Sequence, residues 1–127
     1  MPTIHQGRSV VLRHTLRDGS SHFDWLVEFQ PGGALVATFR LATRPDGPGS
    51  FTAVPLNDHR RMYLDHEGPV SGDRGSVTRV AAGEVLRGVR DQEGAQFTVR
   101  WKGMTLDYEG RRGAGSWEFN AVSLDVG

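Results

Sequence analysis

The sequence predicts one small domain built mostly of β-strands, and three observations favour that class. Apolar and polar residues alternate in several short segments, with the two-residue period of a half-buried strand. Glycine accounts for 17 of the 127 residues and separates these segments, as turns between short strands require. Short strands at this spacing favour a closed barrel or sandwich over an open sheet. The length is that of a single domain covering residues 1–127.

The predicted strands follow one another with turn residues between them. Asp18-Gly19 separates the first strand from the second, and Pro31-Gly32-Gly33 separates the second from the third. A stretch rich in Pro and Gly predicts a loop over 43–50, and a short helical turn is predicted at 56–61. The predicted strands cover 8–14, 22–29, 34–42, 76–81, 83–88, 95–101, 104–110 and 115–122.

Charge and residue types exclude several classes of protein. Fifteen basic residues balance fifteen acidic ones, so no overall field attracts a nucleic acid or a membrane, and polyanion binding needs a local patch. The lack of cysteine excludes disulfides, thiolate nucleophiles and cysteine-based metal sites. No apolar run reaches the ~20 residues of a spanning helix, and residues 1–7 lack the apolar region of a signal peptide. A cytoplasmic protein without a membrane partner is therefore expected.

The most informative pair of residues is His22 and Asp24, which lie two apart on a predicted strand. Alternate side chains of a strand share a face, so these two point the same way, about 7 Å apart. Phe23 and Trp25 point the other way, into an apolar layer. His14 ends the preceding strand and, across the hairpin, can supply a third ligand to a divalent metal. The alternative is a solvent-facing strand surface with a His–Asp hydrogen bond.

A second polar cluster covers residues 56–68 and contains three acids, two histidines, two arginines and one tyrosine. Imidazole, guanidinium and phenol groups together can hold a phosphate and stabilise charge developing on it. The alternative is a solvated helical turn in which Arg60 and Arg61 face water. A glycine-rich loop follows at 71–75, and its backbone amides could cradle an anion.

Taken in this order, the two clusters resemble the 3′-phosphoesterase domain of bacterial DNA ligase D and its free-standing relatives. Two spacings equal those of the family. One runs from Glu28 to Arg40, which stands at the position of the family's lysine, and the other from His59 to Tyr63. The resemblance is sharpest over 12–80. The matching pieces of sequence are 13–14, 22–28, 37–40 and 58–68.

The resemblance implies an all-β fold, a closed or nearly closed β-barrel of about eight strands with short flanking helical turns. It also implies a divalent metal, with Mn²⁺ favoured over Zn²⁺ or Co²⁺. By the same resemblance, His14, His22 and Asp24 match the family's metal ligands.

The resemblance further implies an activity. His59, Arg40 and Tyr63 match residues that hold and activate a phosphate in the family. The implied reaction trims a DNA 3′ end, removing a terminal ribonucleoside and then the 3′-phosphate. The implied partners are DNA 3′ ends of primer–templates and a separate ligase or polymerase of end joining.

Three alternatives stay open. Leu26 stands where the family has Arg, and together with the neutral net charge this favours a catalytically weak module that binds a DNA end or a repair partner. His22, Asp24 and the distant His59 could instead form the two-histidine, one-carboxylate iron site of an oxygenase in a β-barrel. An oxygenase, however, has no need of the other matched residues. A lipocalin-like carrier would want an apolar interior, whereas the face that carries His22 and Asp24 is polar.

Overall fold

The computed structural model describes residues 7–125, which form one antiparallel sheet and one short 3-10 helix. Hydrogen bonds run around a ring of eight strands in the order β1-β2-β3-β4-β9-β8-β7-β6, and β6 pairs back to β1. The elements are β1 (Gly7–Thr15), β2 (Ser21–Val27), β3 (Leu35–Leu41), β4 (Gly49–Arg60), the helix (Arg61–Leu64), β5 (Gly68–Pro69), β6 (Ser76–Arg90), β7 (Gly94–Trp101), β8 (Met104–Arg112) and β9 (Trp117–Ser123). The short strand β5 lies outside this ring and pairs with β6. The predicted all-β class, with about eight strands closing on themselves, is confirmed.

Aromatic side chains fill the interior of the ring. The Trp25 ring of β2 lies 4.9–6.0 Å, centroid to centroid, from five aromatic rings on other strands. Its indole Nε1 donates a hydrogen bond to Ser9 Oγ at 2.9 Å, so the polar atom of this buried side chain has a partner. The carrier alternative asked for an apolar interior, and this interior is apolar but filled by packed side chains. The five rings belong to Phe39, Phe51, Phe97, Tyr108 and Phe119.

A second, smaller core lies on the outer face of β1, β2 and β3. Leu26 is fully buried there and packs in one cluster with Val10 and Leu12. Leu64 of the 3-10 helix belongs to the same cluster and is also fully buried. The alternation predicted for β2 therefore holds, but both faces of the strand are covered. Asp24, two residues from Leu26, lies on the outer face and is only 6% exposed.

Two carboxylates hold the helix against β1 and β2. Asp65, which follows the helix, accepts hydrogen bonds from both terminal nitrogens of Arg8, at 2.7 and 3.1 Å. Glu28, only 2% exposed, accepts from the backbone N–H groups of Arg8 and Gly32, each at 2.8 Å, and contacts the Arg61 guanidinium.

No other helix occurs within residues 7–125, and four residues are far too few to cross a bilayer.

The helical turn predicted at 56–61 is wrong. Strand β4 continues to Arg60, and the helix begins one residue later, at Arg61. The backbone of β4 pairs with β3 as far as Leu35, which lies opposite Arg60. Pairing with a neighbouring strand outweighs the weak local preference of so short a polar segment. The loop predicted over 43–50 ends earlier than expected, because β4 begins at Gly49.

The two strands predicted at 76–81 and 83–88 are one continuous strand, β6. Gly83, where the second of these was predicted to begin, pairs on both sides, with β1 and with Trp101 of β7. A Cβ at this position would lie 2.8 Å from the carbonyl oxygen of Arg100 and 2.9 Å from the Trp101 ring. Glycine here permits close packing within the strand. The other predicted strands lie within two residues of their observed bounds.

Candidate metal centre

The β1–β2 hairpin brings His14, His22 and Asp24 together on its outer face. His14 lies directly opposite His22 in the strand register, and their ring centroids are 4.8 Å apart. One oxygen of Asp24, Oδ2, lies 3.1 Å from His14 Nδ1, and the other, Oδ1, lies 3.1 Å from His22 Nε2. The ligand atoms of the three residues all lie within 4.8 Å of one another, so this group could hold a metal ion.

The donor atoms of this group fit a divalent ion. His22 Nε2 and Asp24 Oδ1 are buried and make no hydrogen bond within the described part of the chain, because their 3.1 Å contact is poorly aligned for one. Buried polar atoms without partners cost free energy, which a bound cation would remove. If two ligand atoms each lie about 2.1 Å from one ion, with a ligand–ion–ligand angle of roughly 90–110°, they are about 3.0–3.4 Å from each other. The two nitrogen–oxygen contacts of this group, both 3.1 Å, have that spacing. Two imidazoles and a carboxylate suit Mn²⁺, Zn²⁺ and Co²⁺ alike.

The surroundings of His22 favour the form of the ring that binds metals. Burial lowers the pKa of His22 below its ordinary value of 6.5, against the opposing effect of the Asp24 carboxylate. The positive charge of Arg40 lowers the pKa of His22 further. The His22 ring is therefore neutral at pH 7, and neutral imidazole is the metal-binding form.

The other nitrogen of His14 has a backbone partner. His14 Nε2 lies 2.6 Å from the carbonyl oxygen of Arg74, in the loop between β5 and β6. Sequence reasoning considered only the backbone amides of this loop, as an anion cradle, and missed its carbonyl contact with His14. A backbone contact of this kind leaves no pattern of side chains that could have predicted it.

An open cleft of about 860 Å³ adjoins the group formed by His14, His22 and Asp24, which is called the metal-binding group below. Most of the predicted site residues line this cleft. The cleft is lined by His14, Asp24, Arg40, His59 and Tyr63. His22 does not line the cleft; it lies behind Asp24, in contact with that carboxylate. The apolar part of the lining consists of Leu12, Leu16, Leu26, Leu56, Val70 and Val77.

Three arginines offer guanidinium groups to this cleft. Arg40 is exposed on β3, directly opposite Asp24 in the register. Arg60 lies over the Tyr63 ring, 6.0 Å from its centroid, and Arg74 donates to the backbone and hydroxyl oxygens of Ser71. Among the residues from 7 to 125, no carboxylate forms an ion pair with any of the three arginines. Their charge is thus available to an anion in the cleft.

A β-bulge turns His59 toward the cleft. In a regular strand, Leu56 and His59 would face opposite sides because they are three residues apart. The register shifts by one residue between them, so both lie on the outer face, with His59 opposite Val36 of β3. Within the bulge, His59 Nδ1 donates to the carbonyl oxygen of Asn57 at 2.9 Å, which leaves Nε2 without a protein partner among the described residues. The Tyr63 ring lies 5.5 Å from the His59 ring.

The arrangement differs from the one that the iron-oxygenase alternative required. That alternative combined His22 and Asp24 with His59. In the structure, His14 completes the group with His22 and Asp24, while His59 bonds to the backbone of its own strand.

A scan against protein-family models and a search of the curated proteins found no match to this chain. The resemblance to the ligase D phosphoesterase domain therefore depends on the matched residues and spacings alone, and it stays a prediction.

Proposed function

We propose that this protein is a divalent-metal-dependent phosphoesterase that removes the terminal phosphate from a DNA 3′ end. One observation carries the proposal: the metal-binding group opens onto the same cleft as Arg40, His59 and Tyr63. Four arginines and four aspartates line this cleft, so a bound divalent cation would leave it with net positive charge. A phosphate monoester carries the complementary negative charge.

Each polar residue of the cleft has a role in this proposal. A divalent ion held by His14, His22 and Asp24 would supply Lewis-acid stabilisation of the phosphate charge and activation of a water molecule. Arg40, exposed and without a carboxylate partner in residues 7–125, would donate two parallel hydrogen bonds to the equatorial phosphate oxygens. Those bonds strengthen as charge develops in the transition state.

The leaving group needs a proton, because water attacks phosphorus while the bond from phosphorus to the sugar oxygen breaks. The Asn57 carbonyl accepts the hydrogen of His59 Nδ1, which orients the ring and reserves Nε2 for proton transfer. In the proposal, His59 reacts as the imidazolium: Nε2–H gives its proton to the departing 3′ oxygen, and the ring then regains a proton from the water that attacked phosphorus. The Tyr63 hydroxyl, beside the same ring, donates a hydrogen bond to the phosphate.

The DNA end is the part of the proposal that comes from the resemblance. The cleft volume of about 860 Å³ exceeds what a phosphate alone needs. Apolar side chains such as Leu56 and Val70 would contact the sugar and base of one terminal nucleotide. The product is a free 3′-hydroxyl, which a separate ligase or polymerase of end joining would use.

The assay is phosphate release from a primer–template with a 3′-phosphate, in the presence of Mn²⁺. We expect the wild-type protein to release inorganic phosphate and Asp24→Asn to release none. Asp107→Asn is the matched control, because Asp107 lies on β8 outside the cleft, and it should behave as wild type. Release that is absent from wild type, or equal in wild type and Asp24→Asn, would contradict the proposal.

A second function, binding of a DNA end without turnover, is favoured by one observation. Leu26 stands at the position of a family arginine, and its side chain is fully buried in the outer core. It therefore packs against apolar neighbours and cannot provide the charged contact that an arginine would. A protein that binds Mn²⁺ and the 3′-phosphate primer but releases no phosphate would support this second function.

A further inference from the structure

The loop over 70–75, between β5 and β6, lies directly against the metal-binding group. Its contact is the carbonyl oxygen of Arg74, 2.6 Å from His14 Nε2. A carbonyl can only accept a hydrogen bond, so the ring proton of His14 resides on Nε2. The lone pair of Nδ1 then points toward Asp24 Oδ2, 3.1 Å away.

The loop can approach β1 this closely because residue 75 is glycine. The backbone of Gly75 has φ +87°, in the left-handed region. A Cβ there would lie 2.0 Å from the carbonyl oxygen of Thr15 and 2.9 Å from its carbonyl carbon. Any side chain would therefore push the loop away from the strand. The loop is closed on itself by a hydrogen bond from the Val70 N–H to the Gly75 oxygen at 2.8 Å.

Two hydrogen-bonding arrangements of neutral His14 compete. With the proton on Nδ1, the ring would donate to Asp24 Oδ2 and offer no lone pair to a metal ion at that atom. With the proton on Nε2, the ring donates to Arg74 and offers its Nδ1 lone pair beside the carboxylate. The position of the loop decides between the two.

We propose that the 70–75 loop is a positioning device for the metal centre. Through the Arg74 carbonyl it holds His14 with its proton on Nε2, and Gly75 is the residue on which that contact depends. This inference rests on the metal-binding part of the proposed function. Outer hydrogen-bond partners of this type fix the orientation of a ligating histidine, and their loss typically weakens metal affinity by about 10- to 100-fold.

The first test is Mn²⁺ binding to Gly75→Ala, followed by electron paramagnetic resonance. We expect an affinity about 10- to 100-fold below that of wild type. Gly72→Ala is the matched control. Gly72 is in the same loop with φ +76°, but a Cβ there meets nothing closer than an Arg74 side-chain atom at 3.6 Å. Comparable backbone strain without contact with β1 should leave the affinity near that of wild type. Equal affinities in wild type and Gly75→Ala would overturn the inference.

The second test uses the wild-type protein, so it does not depend on the folding of a variant. Long-range ¹H–¹⁵N nuclear magnetic resonance of the metal-free protein, with the ring neutral, reports which nitrogen of His14 carries the proton. We expect the proton on Nε2, and a proton on Nδ1 would overturn the inference. This result is independent of activity: a protein that binds Mn²⁺ and has the expected His14 proton but releases no phosphate would contradict the proposed function and leave the inference standing. A protein that binds no Mn²⁺ would overturn both.

Discussion

One carboxylate organises the candidate metal centre. Each oxygen of Asp24 faces an imidazole nitrogen of a different histidine, at 3.1 Å in both cases. The Asp24 side chain is buried, and its Oδ1 has no hydrogen-bond donor among the described residues. Acceptor atoms that face one another in a buried site repel unless a proton or a metal ion lies between them. A cation bound between these atoms would remove that repulsion.

Replacing His22 by Ala tests the metal ligands. Loss of a residue that only hydrogen-bonds to a metal ligand typically weakens metal affinity by about 10- to 100-fold. This variant removes one of the three proposed ligand atoms, so the Mn²⁺ affinity should fall by more than that. Titration of Mn²⁺ followed by electron paramagnetic resonance measures the loss. His66→Ala is the control, because His66 lies outside the metal-binding group and donates to the Pro69 carbonyl. A His22→Ala protein that binds Mn²⁺ as tightly as wild type would exclude His22 as a ligand.

Replacing Arg40 by Ala separates phosphate recognition from metal binding. We expect kcat/KM for the 3′-phosphate primer to fall by about 10²–10³-fold, the usual cost of losing one donor to developing charge. Mn²⁺ affinity should stay within a few-fold of wild type. Arg100→Ala is the matched control, since Arg100 is exposed on β7 and pairs with Glu84 outside the cleft. Unchanged turnover in Arg40→Ala, or an equal loss in Arg100→Ala, would refute the role given to Arg40.

At the scale of the elements, irregular features place His59 and Tyr63 at the cleft. The bulge in β4 puts His59 on the same face as Leu56, and the helix that follows carries Tyr63 back over the outer core. Glu28 at the end of β2 ties this helix to the sheet through Arg61 and also satisfies two backbone N–H groups. The shape of the cleft therefore depends on one buried carboxylate that does not line it.

Glu28→Ala should destabilise the protein strongly. The substitution leaves two backbone N–H groups and Arg61 without their carboxylate partner, and a hydrogen bond to a charged group is worth about 1.5–3 kcal/mol. Urea unfolding measures the change in the free energy of unfolding. Glu109→Ala, which removes a carboxylate that is 54% exposed, should change it by no more than about 0.5 kcal/mol. Similar stabilities for the two variants would contradict the anchoring role of Glu28.

At the scale of the whole molecule, closure of the ring and the aromatic core determine stability. Tyr108 of β8 is fully buried in that core, where its hydroxyl donates to the Pro45 carbonyl at 2.6 Å. The same oxygen accepts a hydrogen bond from Trp101 Nε1 at 2.8 Å. Burial is the main cause that raises the pKa of Tyr108 well above its ordinary value of 10. The folded protein therefore holds this proton more tightly than the unfolded chain does.

This difference predicts a loss of stability in alkali. The contribution of Tyr108 is complete below pH 10 and declines as the pH rises above it, because the unfolded chain then releases the proton first. The decline from this one group is about 1.4 kcal/mol per pH unit. Denaturant unfolding at several pH values above 10 measures the slope. Tyr108→Phe should reduce this slope by about 1.4 kcal/mol per pH unit. Tyr63→Phe keeps Tyr108 and should leave the slope unchanged by this effect. Identical slopes in wild type and Tyr108→Phe would contradict the prediction.

Much of this architecture follows from side-chain patterns. Alternating apolar residues predicted most strands, and the same alternation placed His22 and Asp24 on one face with His14 across the hairpin. The end of β4 was not predictable in this way, because the bulge interrupts the two-residue period within a run of polar residues. The contact between the Arg74 carbonyl and His14 was also not predictable, because it involves a backbone atom brought there by the fold.

The most direct test of the central claim is the position of Mn²⁺ in a crystal of the protein grown with MnCl₂ and phosphate. Anomalous scattering from manganese locates the ion without reference to activity. We predict one strong peak between His14 Nδ1, His22 Nε2 and the Asp24 carboxylate, with phosphate on the side that faces Arg40. A peak elsewhere, with no manganese between these three residues, would contradict the claim that this cleft is the centre of a metal-dependent phosphoesterase.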